Sequence, residues 1–418
     1  MPTEPARTTD VAALALEYGD RLIVGSVREM HHAISSRAFG ATRLIGSRVP
    51  ESLHDAVVTS FYGAISGGLR VGGAAVRSLA SRGVGRPVED SPRGRLVVAA
   101  INGLIGDELR MLDDPQAITM AVRVDGSDVP VTSWPLSEAF RGAGGHPVIF
   151  LHGLCENDES WENYSKQHGT SYAQRIAAET DGTPVMIRYN TGLHISENGK
   201  HLDQLIRRLV DSWPVAVTRI TLVGHSMGGL VARAATNHAT AAGESWQHMV
   251  RDVICLGTPH AGAALEKAAH VGSRLLRFWP ESRPFSGILE SRSAGITDLR
   301  HGYISAAEWE GQDLTVQWGL DRIAAAPLAH AEYHFVASTL GASQGHPFSA
   351  VLGDLLVHFS SATGVGRQGA IVDGARFEYL PSAHHFALLN HPRVGDWLVT
   401  WINERTQSPR ALPAPKQA

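Results

Sequence analysis

Four short runs of mainly apolar residues recur through the middle of the chain: Val148 to Leu151, Val185 to Tyr189, Ile220 to Val223 and Val253 to Leu256. Runs of this length without polar alternation suit strands buried on both faces, because neither side of such a sheet meets water. Between and after them the apolar spacing changes to threes and fours. Leu202, Leu205, Ile206, Leu209 and Val210 form one such stripe, and Val394, Trp397, Leu398, Trp401 and Ile402 form another after Pro392, a residue suited to a first helical turn. From Pro147 the chain therefore alternates strand and helix, which predicts an α/β domain with a doubly wound, mostly parallel sheet.

The flanks read differently. Residues up to about Ala80 carry helical spacing, and Arg82 to Arg95 (RGVGRPVEDSPRGR) reads as an exposed linker, so 1–95 is taken as a helical N-terminal extension with linker. A small lead-in segment, 96–145, holds one expected strand pair, Ile118 to Val124 and Val129 to Thr132, around the turn Asp125-Gly126. The α/β domain is expected over 146–405. Residues 406–418, with three prolines from Ser408 onward, are expected to be a disordered tail.

One strand leads straight into chemistry. In Arg219 to Gly229, RITLVGHSMGG, an apolar run enters a tight turn around Ser226, and a small-residue helix follows. A serine at a strand-to-helix elbow occupies a cramped backbone, and Gly224 and Gly228, on either side of His225 and Ser226, remove Cβ atoms that would collide. The helix beginning near Gly228 aims its N-terminal amides at the place where an oxyanion develops, and the amide of Met227 is one expected donor. With 43 glycines in 418 residues a bare GxSxG is weak by itself. Its position between a buried strand and a helix is what gives it weight.

A serine hydroxyl needs a base, and the base needs an orienting carboxylate. The order serine, acid, histidine expected on this sheet points to the loop after the last strand, Phe377 to Leu380, where His384 and His385 sit in PSAHHFALLNHP. His385 is the expected base, with His384 as its alternative, and His391 reads as a helix-opening residue. Asp354, in GDLLVHFSSATG, is the expected acid because it follows the strand-like run His334 to Thr339; Asp321, before that run, is the competitor. The turn His152-Gly153-Leu154 after the first parallel strand offers the amide of Leu154 as a second oxyanion donor, with His152 shaping the loop.

Taken together, FLHGLCENDESW, RYNTGLHISENG, LVGHSMGGLVAR with LGTPHAGA, and GDLLVHFSSATG followed by HHFALLNHP resemble the α/β-hydrolase superfamily, in particular its bacterial lipase/esterase-like branch with the PGAP-type lipase-like proteins. The resemblance covers roughly Pro147 to Asn403. It implies Ser226 as nucleophile, Asp354 as acid, His385 as base, and Leu154 and Met227 at the oxyanion hole. The segment at about 262–311, with Leu275, Leu276, Phe278, Trp279, Phe285, Ile288 and Leu289, resembles the lid such enzymes place over an acyl pocket; a satellite helical core is the plainer reading. Arg188, Tyr189 and Asn190 suit either substrate binding or loop fixing.

The expected activity is carboxylic-ester hydrolysis through an acyl-enzyme on a small-molecule or lipid-like acyl ester. Alternatives are a thioesterase, amidase or acyltransferase with the same triad, or a non-catalytic lipid or membrane-surface binding protein on this scaffold. No metal and no organic cofactor are expected, since the histidines show no HExxH or comparable spacing. A formal net charge of −4 argues against a nucleic-acid partner. Cys155 and Cys255 lie far apart beside apolar strands and read as core residues. The N-terminus lacks a signal-like layout and no charge-free apolar run spans a membrane, giving a cytoplasmic expectation. Ala56 to Leu69 reads as an amphipathic helix and leaves open a peripheral membrane contact through the N-terminal helices.

Overall fold

The computed structural model describes residues 7–19, 87–262, 293–311, 326–343, 354, 356–366 and 369–404, with isolated positions at 75, 76, 78 and 82. Among the described residues there are ten strands: β1 (Ala121–Val124), β2 (Ser127–Val129), β3 (Pro147–Leu151), β4 (Thr183–Arg188), β5 (Ile220–His225), β6 (Val250–Leu256), β7 (Glu332–Thr339), β8 (Val365–Gly366), β9 (Gly369–Ala370) and β10 (Arg376–Pro381). Eight of them form one sheet in the order β10-β7-β6-β5-β3-β4-β1-β2, and β8 pairs only with β9. Strands β10 through β4 in that order are mutually parallel, whereas β1 runs antiparallel to both β4 and β2. The fold is thus the mostly parallel α/β sheet that the apolar runs predict.

Helices clothe both faces. They are α1 (Thr8–Gly19), α2 (Pro92–Met111), α3 (Ser133–Ala139), α4 (Ser165–His168), α5 (Tyr172–Glu179), α6 (Ile195–Ser212), α7 (Met227–Ala242), α8 (Ala294–His301), α9 (Phe359–Ala362) and α10 (Pro392–Glu404). Successive strand residues project to opposite sides. Ile149, Leu151, Leu222 and Val253 pack with Leu202, Leu205 and Leu209 of α6 and with Leu230 and Val231 of α7. Val148, Phe150, Val223 and Ile254 meet Ile176 of α5 and Val394, Leu398 and Trp401 of α10. Both stripes read from the sequence therefore lie against the sheet, on opposite faces.

Several boundaries shift. The expected strand pair shortens to β1 and β2, and its turn places Asp125 and Gly126 at φ 49° and 74°, the left-handed backbone a tight two-residue hairpin needs. β6 begins at Val250, well before the apolar run at Val253, because buried Asp252 is paired with His334 and so tolerated inside the strand.

The reading of Arg82 to Arg95 as an exposed linker is corrected. Val88 is buried at the start of a short 3-10 turn, and α2 begins at Pro92 with Ser91 as its cap, the serine oxygen accepting from the Gly94 amide. Helix α2 runs through the 95/96 boundary and lies against the α/β core. Gly103 and Gly106 make this approach feasible: a Cβ at Gly103 would overlap the Cys155 sulfur, and one at Gly106 would overlap the Asn190 side chain. Asn190 Nδ2 donates to the Gly106 carbonyl at 2.9 Å, while Ser293 Oγ donates to the Gly103 carbonyl at 2.9 Å and the Ala294 amide to Asp107 at 2.9 Å. The same helix thus touches the loop after β3, the loop after β4 and the start of α8. Ile105, at φ −142° and ψ 19°, kinks it between the two glycines.

Ala56 to Leu69, the apolar lid residues Leu275 to Leu289, Asp321 and the tail 406–418 lie outside the described residues. Among the described residues no helix is long and apolar enough to cross a membrane.

Asn102 is the polar anchor of α2. Its Nδ2 donates to the carbonyls of Val98 and Gln116 at 2.9 and 2.8 Å, and its Oδ1 accepts from the Ile118 amide at 2.8 Å, all of it buried. Replacement strands buried backbone groups in the lead to β1. Asn102→Ala is expected to lower unfolding free energy by about 2–4 kcal/mol in urea denaturation; a change under about 0.5 kcal/mol would show that α2 is not held this way.

Candidate active site

Ser226 follows the last residue of β5 directly and caps α7. Its backbone stands at φ 53° and ψ −120°, a region that L residues avoid and that persists only where the surroundings force it. Glycines provide that forcing. A Cβ at Gly224 would overlap the backbone of Gly228 and Gly229, and one at Gly228 would overlap the Leu151 carbonyl at the end of β3. Helix α7 can therefore press its first turn against β3 and β5. The Ser226 amide is pinned to the Leu256 carbonyl at 2.8 Å, so the elbow is also tied to β6.

Asp354 and His385 meet although 31 residues separate them. His385 Nδ1 lies 2.8 Å from Asp354 Oδ2, and the His385 amide donates to the Asp354 carbonyl at 3.0 Å. The other carboxylate oxygen accepts the amides of Leu356 and Val357 at 3.1 and 2.8 Å, and Ser338 Oγ, near the end of β7, lies 3.3 Å from Oδ2. Burial works to raise the Asp354 carboxyl, but His385 and the two amides outweigh it and hold the group below its ordinary range. A carboxylate beside Nδ1 makes that nitrogen the donor. The lone pair of the neutral ring is thereby left on Nε2, which is buried and has no hydrogen-bond partner.

His385 opens a short 3-10 turn, His385–Leu388, held by the start of α5: Tyr172 Oη donates to the Leu388 carbonyl at 2.6 Å, and Asn390 Oδ1 accepts the Tyr172 amide at 2.7 Å. The imidazole packs over Gly257, where an added Cβ would lie 3.0 Å from His385 Cε1. Gly257 directly follows Leu256, the residue that receives the Ser226 amide. His385 Nε2 has no hydrogen-bond partner, so Ser226 Oγ does not engage it in this state; in sites without substrate such contacts are often loose. His384 takes a different course, its ring set edge-on to Tyr164 at 6.2 Å. His391 stands just before α10, where its Nδ1 accepts the Arg393 amide at 3.2 Å.

The turn after β3 faces the elbow. A Cβ on Gly153 would lie 3.1 Å from the Ser226 Cβ. The Gly153 amide is taken by Glu156 Oε2 at 2.6 Å and the Cys155 amide by Thr191 Oγ1 at 3.2 Å. Among the described residues no turn, loop or side-chain hydrogen bond engages the amides of Leu154 or Met227, the two expected oxyanion donors. His152 is occupied as a scaffold: Nδ1 lies 3.0 Å from the Gly153 carbonyl, Nε2 receives the Tyr189 amide at 3.3 Å, and the ring stacks on Tyr189. Burial lowers its pKa, in keeping with a neutral ring.

Arg188, Tyr189 and Asn190 are fixing residues. Arg188 pairs with Glu89 at 2.9 Å and Asp128 at 3.0 Å, Tyr189 Oη donates to the His152 carbonyl at 2.6 Å, and Asn190 holds α2. Sequence reasoning missed Glu156. This buried carboxylate accepts from the Gly153 amide and lies 3.0 Å from Nδ1 of His225, a fully buried ring that the sequence marked only as part of the elbow. The signal available was the dense polar run ENDES between the HGL turn and Trp161, which reads as solvated yet is largely buried.

Cys155 and Cys255 are free and buried, and burial pushes both thiols up to about 12, which leaves them protonated and inert. Among the described residues, Asp252, Glu332 and His334 bring three ligand atoms within 4.8 Å of one another. They lie toward the N-terminal ends of β6 and β7, away from Ser226. Arg376 already neutralises Glu332 at 3.1 Å, and His334 Nδ1 lacks the acceptor that usually steadies a metal-bound imidazole. The cluster is balanced as it stands.

Residues 142–326 match the family model described as PGAP1-like alpha/beta domain. Among solved structures, the chain is similar to the lipase BlEst2 of Bacillus licheniformis, with 18% identity, coverage of 68% of this chain and 97% of that one, and a TM-score of 0.39. It is also similar to the esterase RhEst1 of a Rhodococcus species (16% identity, 68% and 98% coverage, TM-score 0.38) and to the carboxylesterase CesB of Bacillus subtilis (13%, 64% and 84%, TM-score 0.35). No curated protein matches the chain by sequence. The PGAP1-like alpha/beta domain match over residues 142–326 thus takes in β3 to β6 of the mostly parallel sheet and the strained serine elbow.

Proposed function

We propose that the protein is a serine hydrolase of carboxylic esters. The observations that support this reading are the buried Asp354–His385 pair with Nε2 unengaged, the strained elbow at Ser226, and the packing of His385 over Gly257, next to the residue that holds the Ser226 amide. Ser226 Oγ attacks the ester carbonyl while His385 Nε2 takes its proton, and Asp354 steadies the imidazolium that forms. The carbonyl oxygen, now negative, turns toward the amides of Leu154 and Met227 at the positive end of α7. The protonated His385 next gives its proton to the departing alcohol. Water activated by the same nitrogen then splits the acyl-serine, and the resting hydroxyl is restored.

The chemistry uses only a hydroxyl, an imidazole, a carboxylate and two backbone amides. An acyl ester, small or lipid-like, is the substrate class proposed, and the chain between 262 and 293 is proposed as part of the lid over the acyl pocket. Helix α8, fastened to α2 at Ser293 and Ala294, supports such a segment from its C-terminal side.

Ser226→Ala is expected to lower kcat on a chromogenic short-chain ester by about 10⁴-fold or more with unchanged circular dichroism, and to abolish fluorophosphonate labelling of the peptide that contains residue 226. Turnover near the parent level in that variant would remove the assignment. Asp354 supplies a pH test with a definite sign. Because its folded-state carboxyl is held below the unfolded value, its ionisation stabilises the fold in full above that unfolded value, about 3.9, and the contribution is lost as pH falls through the folded value. The thermal midpoint of the parent is expected to exceed that of Asp354→Asn at pH 7, with the gap narrowing as pH falls below about 4. A gap that stays constant as pH is lowered from 7 to well below about 4 would contradict the buried, ionised carboxylate.

A further inference from the structure

His225 differs from every other histidine around the elbow in what its two nitrogens face. Nδ1 lies 3.0 Å from Glu156 Oε2, and Nε2 lies 3.4 Å from the backbone carbonyl of His385. Both partners can only accept, provided the carboxylate is ionised. A neutral imidazole has one donor and one acceptor nitrogen, so one of the two contacts would set lone pair against lone pair. A doubly protonated ring satisfies both. The contrast with His152 is direct, because there one nitrogen faces a carbonyl and the other receives an N–H, which suits a neutral ring.

We infer that His225 is held as an imidazolium by Glu156, and that this buried ion pair is a positioning strut joining the turn after β3 to the backbone of the catalytic histidine. The inference rests on the serine-hydrolase reading for what the strut serves, though the charge state of His225 is a separate fact. Three links run in series. The Gly153 amide donates to Glu156 at 2.6 Å, Glu156 holds His225, and His225 holds the carbonyl of His385, whose ring centroid is 4.8 Å from that of His225. The first link turns the Gly153 amide away from the reaction centre and sets the loop that presents Leu154. The last fixes the backbone from which the catalytic imidazole hangs.

The enclosure is closed to water: His225 is fully buried and Glu156 is 6% exposed. The titratable groups facing His225 are Glu156 from the β3 loop and His385 from the 3-10 turn, with Asp354 at longer range; Trp161 and Phe386 complete the wall without titrating. Burial opposes the His225 proton, but Glu156, the His385 carbonyl and Asp354 outweigh it and raise its pKa. For Glu156 burial acts upward, and His225 with the Gly153 amide outweighs it and lowers the group. Both directions favour the charged pair.

The decisive experiment is ¹⁵N–¹H correlation spectroscopy of the full-length Ser226→Ala protein with ¹⁵N-labelled histidine, His225 being assigned by the signals lost on adding His225→Asn. At pH 8, well above the ordinary histidine value of about 6.5, both ring nitrogens of residue 225 are expected in the protonated range. One nitrogen in the unprotonated range overturns the inference. In the second arm, Glu156→Gln keeps the length and an acceptor for Gly153 but removes the charge. It is expected to render His225 neutral at pH 8 and to lower kcat on the short-chain ester by about tenfold or more, with KM changed less than about threefold. An unchanged kcat, or a His225 still doubly protonated, rejects the strut. If Glu156→Gln does not fold, the spectrum of the Ser226→Ala protein decides alone. Turnover persisting in Ser226→Ala would defeat the nucleophile assignment and leave the His225 result intact.

Discussion

The backbone of Ser226 is the constraint around which the molecule is arranged. A serine at φ 53° is costly by about 1–3 kcal/mol, and it survives because four elements close on it at once. Strand β5 delivers it, β6 holds its amide, and α7 starts beneath it at a distance from β3 that only glycine permits at 228. The dense apolar packing of α6 and α7 on one face, and of α5 and α10 on the other, keeps those elements from relaxing. The elbow is thus assembled by the sheet's core, and the Ser226 hydroxyl sits where the strain is concentrated.

Protonation around the elbow is set by simple complementarity. Three histidines crowd the same volume, and each takes the state its neighbours allow. His152 donates and accepts, and packs as a neutral scaffold. His385 directs Nδ1 at a carboxylate and leaves Nε2 basic. His225 meets two acceptors. Buried acids follow the same logic, Asp354 and Glu156 both held ionised by a histidine and by backbone amides.

The parts of this arrangement legible in the sequence were those with local signatures. Mainly apolar runs marked β3 to β6, and glycines flanking a serine marked the elbow. Asp354 and His385 were accessible because strand order restricts where an acid and a base can fall. What escaped were features whose cause is tertiary. Helix α2 was hidden because Gly94, Gly103 and Gly106 depress helix propensity. In the fold, the last two are where neighbouring loops come closest. Glu156 was hidden because ENDES resembles a solvated loop; Arg95, Arg123 and His225, distant in sequence, compensate its acids once the chain is folded. Asp252 interrupted the apolar pattern of β6 for the same reason.

The position of α2 has one further consequence. By seating two glycines against Cys155, Asn190 and the residue before α8, it forms an outer wall for the loop after β3, the loop after β4 and the start of α8. A cut at residue 145, which would look natural from the strand pattern alone, would uncover the backbone of Gly192, now packed against Asn102 and Gly106, and the sulfur of Cys155. Residues 92–111 are accordingly part of the same packed unit as the sheet, and grafting this sheet onto another N-terminal partner would require a replacement helix equally thin at two points one turn apart.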